Sequence, residues 1–590
     1  MRKFTGAEVR LWTCVLVCAS MINIPTGYQM TNLNQPGELF RQWLNASANN
    51  TLNQRQASRQ WGVIVAMRLV GDVLGVWIAA LIGDFFGRRD ALRMSAIPSV
   101  IGDVCSITAV YTQLPGLLGL GRFVTGLGDG ICANCVKAYF VEVAPSAVRG
   151  KIGVYLMFAR ELGMVIGAIV TSSYGVGRHG SLQYVFLVSL IMVLPTPLIL
   201  AAFPRSPRFL YVTKRDPEAA MKSVNFFQGE NNDMWAILKG YGQAVHQDRS
   251  GSVQNRGNFT NRDSVGSSKS RPMIKFKYDA ITEKHPLLSN RKNPFGKLNL
   301  ISIPPDFCHR LRTVLQQQFF AKLWPENSTV RRTFAIASVF GALTALSGRF
   351  ICINYSSDMI RHAGTARLPA EQTAIIAQLF GFPFLIFSMF AVDTFGRRPV
   401  LFTGIASVIS LQVIAIFAYF TLRAPSGDMD LQSLQKHISN FSPSATVIIA
   451  LAIGTWVPIA IGTISGLNFI PTETFPQMYR STGTALTLSV MYATGAFTTA
   501  LFPVLQHAQL GCGIIFLLVP LSVCAMILYI YLPETNNRTI EEISMSISRS
   551  GGGLFSEQSR PLESSNEMSQ NEPGFDLKHI VNYDATDPVN

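Results

Sequence analysis

The sequence predicts an all-α membrane protein built from twelve transmembrane helices in two similar six-helix halves. Three observations predict it. The 590 residues are 48% hydrophobic and only 14% charged, where a soluble protein carries about 25% charged residues. Apolar stretches of roughly twenty residues recur, each long enough to cross the hydrocarbon of a bilayer. Three short charged motifs occur twice, in the same order, roughly 310–330 residues apart, as an internal duplication of a transporter fold requires. The first copy reads Asp84-x-x-Gly87-Arg88-Arg89, Glu142-x6-Arg149 and Pro204-Arg205-Ser206-Pro207-Arg208. The second reads Asp393-x-x-Gly396-Arg397-Arg398, Glu473-x6-Arg480 and Pro533-Glu534-Thr535.

The spans are centred near Cys18, Gly71, Ile101, Asp129, Gly163 and Met192 in the first half. In the second half they are centred near Gly341, Phe382, Leu411, Pro458, Val490 and Leu521. Arg2, Lys3 and Arg10 precede the first span and no small-residue cleavage site clearly follows it, so it reads as a retained helix with a cytoplasmic start. Twelve spans return the chain to the same side, and the basic turns near Arg88, Arg149, Arg397 and Arg480 all become cytoplasmic. The halves are expected at 1–210 and 329–544. Between them lies a cytoplasmic loop, 211–328, basic and rich in Ser, Asn and Gly, with helical character from Pro217 to Phe227 and a disordered middle. The tail, 545–590, is polar and expected to be mostly disordered. The first external loop carries sequons at Asn45 and Asn49, and one or the other is expected to be glycosylated. Glu283-x3-Leu287-Leu288 in the central loop fits an acidic dileucine sorting signal that adaptors would read.

The net charge of +15 does not point to nucleic acid, because Lys and Arg lie in short clusters between apolar spans. Of nine cysteines, Cys132 and Cys135 form a C-x-x-C with no partner pair, so neither a metal site nor a cofactor is expected. No nucleophile–base pairing suggests an enzyme. The duplicated motifs have a physical logic of their own. Gly87 and Gly396 permit a tight reversal between helices. Asp84 and Asp393 can pair with the neighbouring guanidinium groups or cap a helix start. The Glu-x6-Arg elements bring carboxylates and arginines from neighbouring turns to the cytoplasmic face.

These residues resemble the sugar porter family of the major facilitator superfamily. Further matches are Gly121-Arg122-Phe123, Gly27-Tyr28, Ser347-Gly348 and Pro533-Glu534-Thr535-x-x-Arg538. The resemblance implies a carrier that works by alternating access on a small-molecule substrate, with hexose or a related carbohydrate as the default. It also implies a cytoplasmic charge cluster holding the outward-facing state. Carried over, that cluster comprises Asp84, Arg88, Arg89, Glu142, Arg149, Asp393, Arg397, Arg398, Glu473, Arg480 and Glu534. Arg205 stands where the family has Glu, so it is expected near Arg88 and Arg89, with like charges weakening the outward-facing state.

The pocket departs further from the family. Its sugar-binding amides and Trp residues align with Met157, Thr344, Ala345, Phe350, Gly381, Asn468 and Tyr492. Hydroxyls both donate and accept hydrogen bonds, and side-chain amides match them; almost all of that equipment is missing. Charges take its place. Arg68, Asp72, Asp103, Asp129, Arg160, Glu161, Arg349 and Asp358 lie at or within apolar spans, where an ionised group is costly and marks a candidate functional site. Asp129 and Arg349 are the two assigned to the pocket; mutual pairing for structure is the competing reading. No acid sits in the first apolar span, where proton-coupled sugar symporters usually carry one, which favours facilitated diffusion. Two alternatives stand beside the carbohydrate carrier: a transport-inactive sensor or scaffold, and a carrier of a charged organic solute. The membrane is expected to be the plasma membrane or an endosomal or lysosomal one.

Overall fold

The computed structural model describes residues 6–173, 175, 182–229, 328–362, 370–423, 466, 470, 473–475, 479–508, 510–535 and 540–549. It is all-helical among them. The first half contains α1 (Gly6–Thr31), α2 (Gly37–Ser47), α3 (Gln54–Phe86), α4 (Arg88–Thr112), α5 (Pro115–Val143), α6 (Ser146–Val170), α7 (Leu182–Val193), α8 (Thr196–Ala201) and α9 (Pro217–Gln228). The second contains α10 (Ser328–Leu346), α11 (Arg349–His362), α12 (Ala370–Phe395), α13 (Arg397–Arg423), α14 (Arg480–Ala508), α15 (Leu510–Tyr531) and α16 (Ile540–Arg549). Eleven of the twelve expected span centres fall within these helices; the one near Pro458 lies outside the described residues. Eight spans among the described residues are long and apolar enough to cross a membrane.

Two spans are broken. The sixth is α7 followed by α8, interrupted at Pro195. The seventh is interrupted at Ser347-Gly348, where Gly348 takes φ +88°, a left-handed conformation that glycine adopts without penalty. The first three N–H groups of a helix have no acceptor within it, so the amides of Arg349, Phe350 and Ile351 open α11 inside the molecule.

Packing follows from side-chain size. Gly71-x3-Gly75 on α3 faces Gly126-x3-Gly130 on α5, and a Cβ on Gly71 or Gly126 would collide with the backbone carbonyl of Phe123 or Arg68. Small residues four apart on both helices bring the backbones together, which in a bilayer replaces the hydrophobic drive that water supplies elsewhere. The largest core cluster joins the halves: Phe40, Trp61 and Phe186 belong with Leu343, Phe350, Tyr492 and Phe502. Leu74, Ile101, Phe387, Phe390 and Met526 are exposed, as a lipid-facing surface requires.

α9 occupies the stretch read as helical. Asp216 caps it, accepting from the Ala219 N–H at 2.9 Å, and Pro217 sits at its first position. Phe227 is buried in the core cluster of α1, and Arg10 donates to the Phe226 carbonyl at 3.0 Å. At the other end α16 continues to Arg549, past the expected start of a disordered tail. Ile543 and Ile547, four apart, are both buried, and that apolar stripe holds the helix to the domain. Residues 230–327, most of the expected central loop, and 550–590 lie outside the described residues.

Gly126→Leu is expected to cost about 1–3 kcal/mol through overpacking. It should lower the thermal midpoint of the purified protein and its monodisperse yield, while an exposed lipid-facing change such as Leu74→Ile leaves both unchanged. Equal behaviour of the two variants in size-exclusion and melting assays would remove the α3–α5 contact as the organising one.

Candidate functional site

Each duplicated motif set folds into a knot of charge at one end of its half. In the first, Arg88 reaches Asp84 at 2.8 Å and Glu142 at 3.3 Å. Glu142 also accepts from the Ser206 hydroxyl at 2.6 Å. Gly87, at φ +94°, reverses the chain between α3 and α4. In the second, Arg397 pairs with Glu473 at 2.8 Å, and Glu473 accepts from the Thr535 hydroxyl at 2.8 Å. Gly396, at φ +92°, makes the same reversal. Ser206 and Thr535 thus hold equivalent carboxylates, although one motif reads Pro-Arg-Ser and the other Pro-Glu-Thr.

The residue between them explains the apparent reversal of charge. Glu534 accepts from the backbone N–H groups of Arg397 and Arg398, both at 3.0 Å, and so places a carboxylate at the positive end of α13. Arg205 occupies the equivalent place at α4. The like-charge contact expected there does not form, because Asp90 in the first turn of α4 intervenes. Asp90 meets Arg205 and Arg89, each at 2.7 Å. Arg89 also donates to the Phe203 carbonyl at 2.7 Å, and Arg398 to that of Tyr529 at 2.6 Å. Both helices therefore start on a carboxylate; in one it comes from outside the helix, in the other from within. The sequence reading does not single out Asp90, although an acid directly after the Gly-Arg-Arg turn is the signal that finds it. The side chains of Arg149 and Asp393 fall outside those described; Arg480 opens α14.

A second layer of charge lies between the halves. Glu161 of α6 meets Arg349 at the start of α11, 2.9 Å apart. Its neighbour Arg160 donates to the Tyr492 hydroxyl of α14 at 3.4 Å, and its Nε is buried without a hydrogen-bond partner. Tyr492 packs on Phe350, ring centroids 6.0 Å apart, and Phe158 of α6 on Phe382 of α12 at 5.2 Å. Of the other aligned pocket positions, Met157, Thr344, Ala345 and Gly381 are all buried. Thr344 donates to the Phe340 carbonyl at 2.9 Å, within its own helix. Asn468 lies outside the described residues. Asp129 lies in the wall between α3 and α5, close enough to Arg160 for their charges to interact. It is paired with Arg68, and Arg68 stands 3.8 Å from Asp72. Asp103 accepts from Ser189 at 2.6 Å and Gln29 at 3.2 Å.

At the outer end polar bonds run from one half to the other. Asn34 donates to Ser356 at 2.8 Å, and Ser357 donates to Gln35 at 2.6 Å. Arg41 of α2 grips Asp358 of α11 with two nitrogens, at 2.7 and 2.9 Å, and Glu38 at 2.7 Å. Burial works against the Arg41 charge, but Asp358 and Glu38 outweigh it and hold its pKa above the ordinary arginine value. The Ser173 N–H donates to Glu371 of α12 at 2.7 Å. The pairs of the duplicated motifs named above each stay within one half. The arrangement bonds the opposite ends of the halves to each other. Of these residues only Asp358 stands out in the sequence as a charge in an apolar span; its partner in α2 is a matter of folding, not spacing. On the same face Asn45 lies in α2, and its side-chain oxygen accepts from the Leu52 N–H at 3.2 Å. Asn49 is exposed.

The profile of the "Sugar (and other) transporter" family matches residues 15–263 and 309–546. A facilitated glucose transporter homolog of Caenorhabditis elegans is 28% identical over 233 residues, a match that covers 37% of this chain and 44% of that relative. Mouse solute carrier family 2, facilitated glucose transporter member 9, is 23% identical over 558 residues, covering 92% of this chain and 87% of the relative. Among solved structures, a major facilitator superfamily proton:xylose symporter bound to 6-bromo-6-deoxy-D-glucose superposes with a TM-score of 0.62 at 18% identity, covering 91% of this chain and 99% of that one. That likeness shows the fold.

The exchanged carboxylate makes a prediction. Asp90→Asn removes the carboxylate shared by Arg89 and Arg205 at the start of α4 and should lower thermal stability, by about 1–2 kcal/mol for a partly buried helix-end charge. Adding Arg205→Glu rebuilds the arrangement of the second half and should recover most of the loss. A double variant no more stable than Asp90→Asn alone would show that Asp90 acts on something other than the helix end.

Proposed function

The chain belongs to the sugar transporter family of the major facilitator superfamily and is a multi-pass membrane transporter, not an enzyme; on that premise we propose how it works and what it moves. The two halves rock about the midplane layer of Arg160, Glu161, Arg349 and Tyr492. The solute is small and polar and passes by facilitated diffusion. Relatives named for glucose and xylose make a hexose or related carbohydrate the default. The observation that carries the reading is the contrast in where the polar bonds lie. Cytoplasmic charges are satisfied inside each half, whereas the outer ends are bonded across the halves. Such a carrier rests sealed outside, and opening it outward requires breaking Arg41–Asp358 and its neighbours. In this reading Asp84, Gly87, Arg88, Arg89, Glu142, Arg149, Arg205, Asp393, Gly396, Arg397, Arg398, Glu473, Arg480 and Glu534 form the cytoplasmic gate. Each knot keeps its half rigid while the halves separate.

Site placement belongs to the same proposal. The first helix starts in the cytoplasm, α2 lies outside, and Asn49 is the better glycan acceptor, since it is exposed while the Asn45 side chain is engaged. Glu283, Leu287 and Leu288, outside the described residues, direct the carrier to endosomes or lysosomes through sorting adaptors.

Arg41→Ala should raise labelling of Cys352 by a membrane-impermeant maleimide several-fold, read by site-resolved mass spectrometry, because the outer seal loosens. Unchanged labelling would mean that the seal does not control external access. Uptake into proteoliposomes tests the carrier itself. D-glucose should be a poor substrate, because the amide side chains that pair with hydroxyls are missing. Saturable glucose uptake of roughly millimolar affinity, insensitive to Arg349→Ala, would instead establish the hexose default. A broad labelled panel in which nothing moves would favour the sensor reading.

A further inference from the structure

We propose that a cavity inside the first half binds a small monovalent cation, with sodium as the probe. The cavity, of about 20 Å³, lies between α1, α4, α5 and the α7–α8 break, and has room for one guest the size of a water molecule. Its mark is the direction of the hydrogen bonds around it. Thr26 donates its hydroxyl proton to the Ile22 carbonyl at 2.9 Å, and Ser95 to that of Leu92 at 2.7 Å. Ser99 donates to the Ser95 carbonyl at 3.1 Å and Thr196 to that of Met21 at 2.9 Å. A hydroxyl that has given its one proton away has only lone pairs left to offer. The Gln29 amide donates to Asp103 at 3.2 Å and to Ser189 at 2.8 Å, so its oxygen is the end left over. Asp129 gives one oxygen to Arg68, and its other can only accept. The Cys132 thiol, 3.8 Å from the Thr26 oxygen, is a weak donor.

A lining of oxygens that have no protons to give suits a hard cation. Backbone adds to it. Pro25 has no N–H, so the Met21 carbonyl lacks its partner one turn on. Thr196 answers one of its two lone pairs. A carbonyl freed by a helix break is a recurrent ligand for sodium inside membrane proteins. Charge favours a single positive one. Asp129 is the charged residue of the lining, and the arginine that holds it stands 3.8 Å from Asp72 as well. Asp72 has both oxygens buried without a hydrogen bond. Arg122 and Arg160 act on both acids from farther off, and Asp103 acts on Asp129 from behind Gln29. Three acids and three arginines therefore balance in this wall. The ion is drawn by the oxygens and not by a surplus of charge, so the expected affinity is weak, on the order of millimolar. A divalent ion would leave twice the charge unanswered in the low dielectric. Every lining element belongs to the first half, so the ion is a resident brace between the proline breaks of the first and sixth spans and not cargo.

The full-length protein is melted in detergent in choline chloride, sodium chloride and calcium chloride at one ionic strength. Sodium should raise the thermal midpoint above that in choline by about 2 °C or more, and saturably; calcium should raise it less. Thr26→Val and Ser99→Ala each remove a lining oxygen and leave every charge in place. Each should cut the sodium-dependent rise by at least half. Asp129→Asn also breaks the Arg68 pair, so the two uncharged variants decide. Equal midpoints in sodium and choline would mean that the cavity takes water only, and would overturn the proposal. A rise that both substitutions leave intact puts the ion elsewhere and overturns it too. A larger rise in calcium than in sodium overturns the assignment to a monovalent ion.

Discussion

A guanidinium inside a bilayer has to bring its own countercharge, because no water is there to supply one. That constraint organises this molecule. Arg68 is buried against Asp129 with Asp72 beside it, and removing one member of such a set costs about 3–5 kcal/mol. The contact works only because Gly71, Gly75, Gly126 and Gly130 let α3 and α5 approach to backbone distance. Small residues and buried charge are therefore parts of one device. The glycines set the spacing and the ion pair fixes the register.

The same constraint takes a different form at the ends that carry the duplicated motifs. There a helix start supplies part of the positive charge, and a carboxylate answers it. Glu534 does so for α13 from outside the helix, and Asp90 does so for α4 from its first turn. The two halves have exchanged the source of the charge while keeping the field. Glu142 and Glu473 then tie each turn to the hydroxyl of Ser206 or Thr535. Each half is thereby self-contained at its inner end, which lets it move as a unit.

Between the halves the balance is looser. Glu161–Arg349 and Arg160–Tyr492 bridge them at the middle, and Arg41–Asp358 bridges them outside. Polar bonds of this kind break and reform at modest cost when water reaches them, whereas the apolar contacts around Phe40, Trp61 and Phe502 exclude water while the seal is closed. The polar bonds between the halves thus rest on a few side chains.

The sequence by itself determined the class of fold, because apolar length and the repeat of charged motifs depend only on residue order. It located eleven span centres, the reversals at Gly87 and Gly396 and the helix at the start of the central loop, all governed by local chemistry. It also identified the intramembrane charges as the unusual feature. The tertiary structure decided their partners. Glu161 finds Arg349, and Arg41 finds Asp358, across more than a hundred residues. No local rule encodes such a pairing. It paired Asp129 with Arg68, and it put Asp90 between Arg205 and Arg89. It also carried α16 to Arg549, since Ile543 and Ile547 reveal their worth only once there is a surface to bury them. Order along the chain fixes which groups must be neutralised, and only packing chooses which neighbour does it.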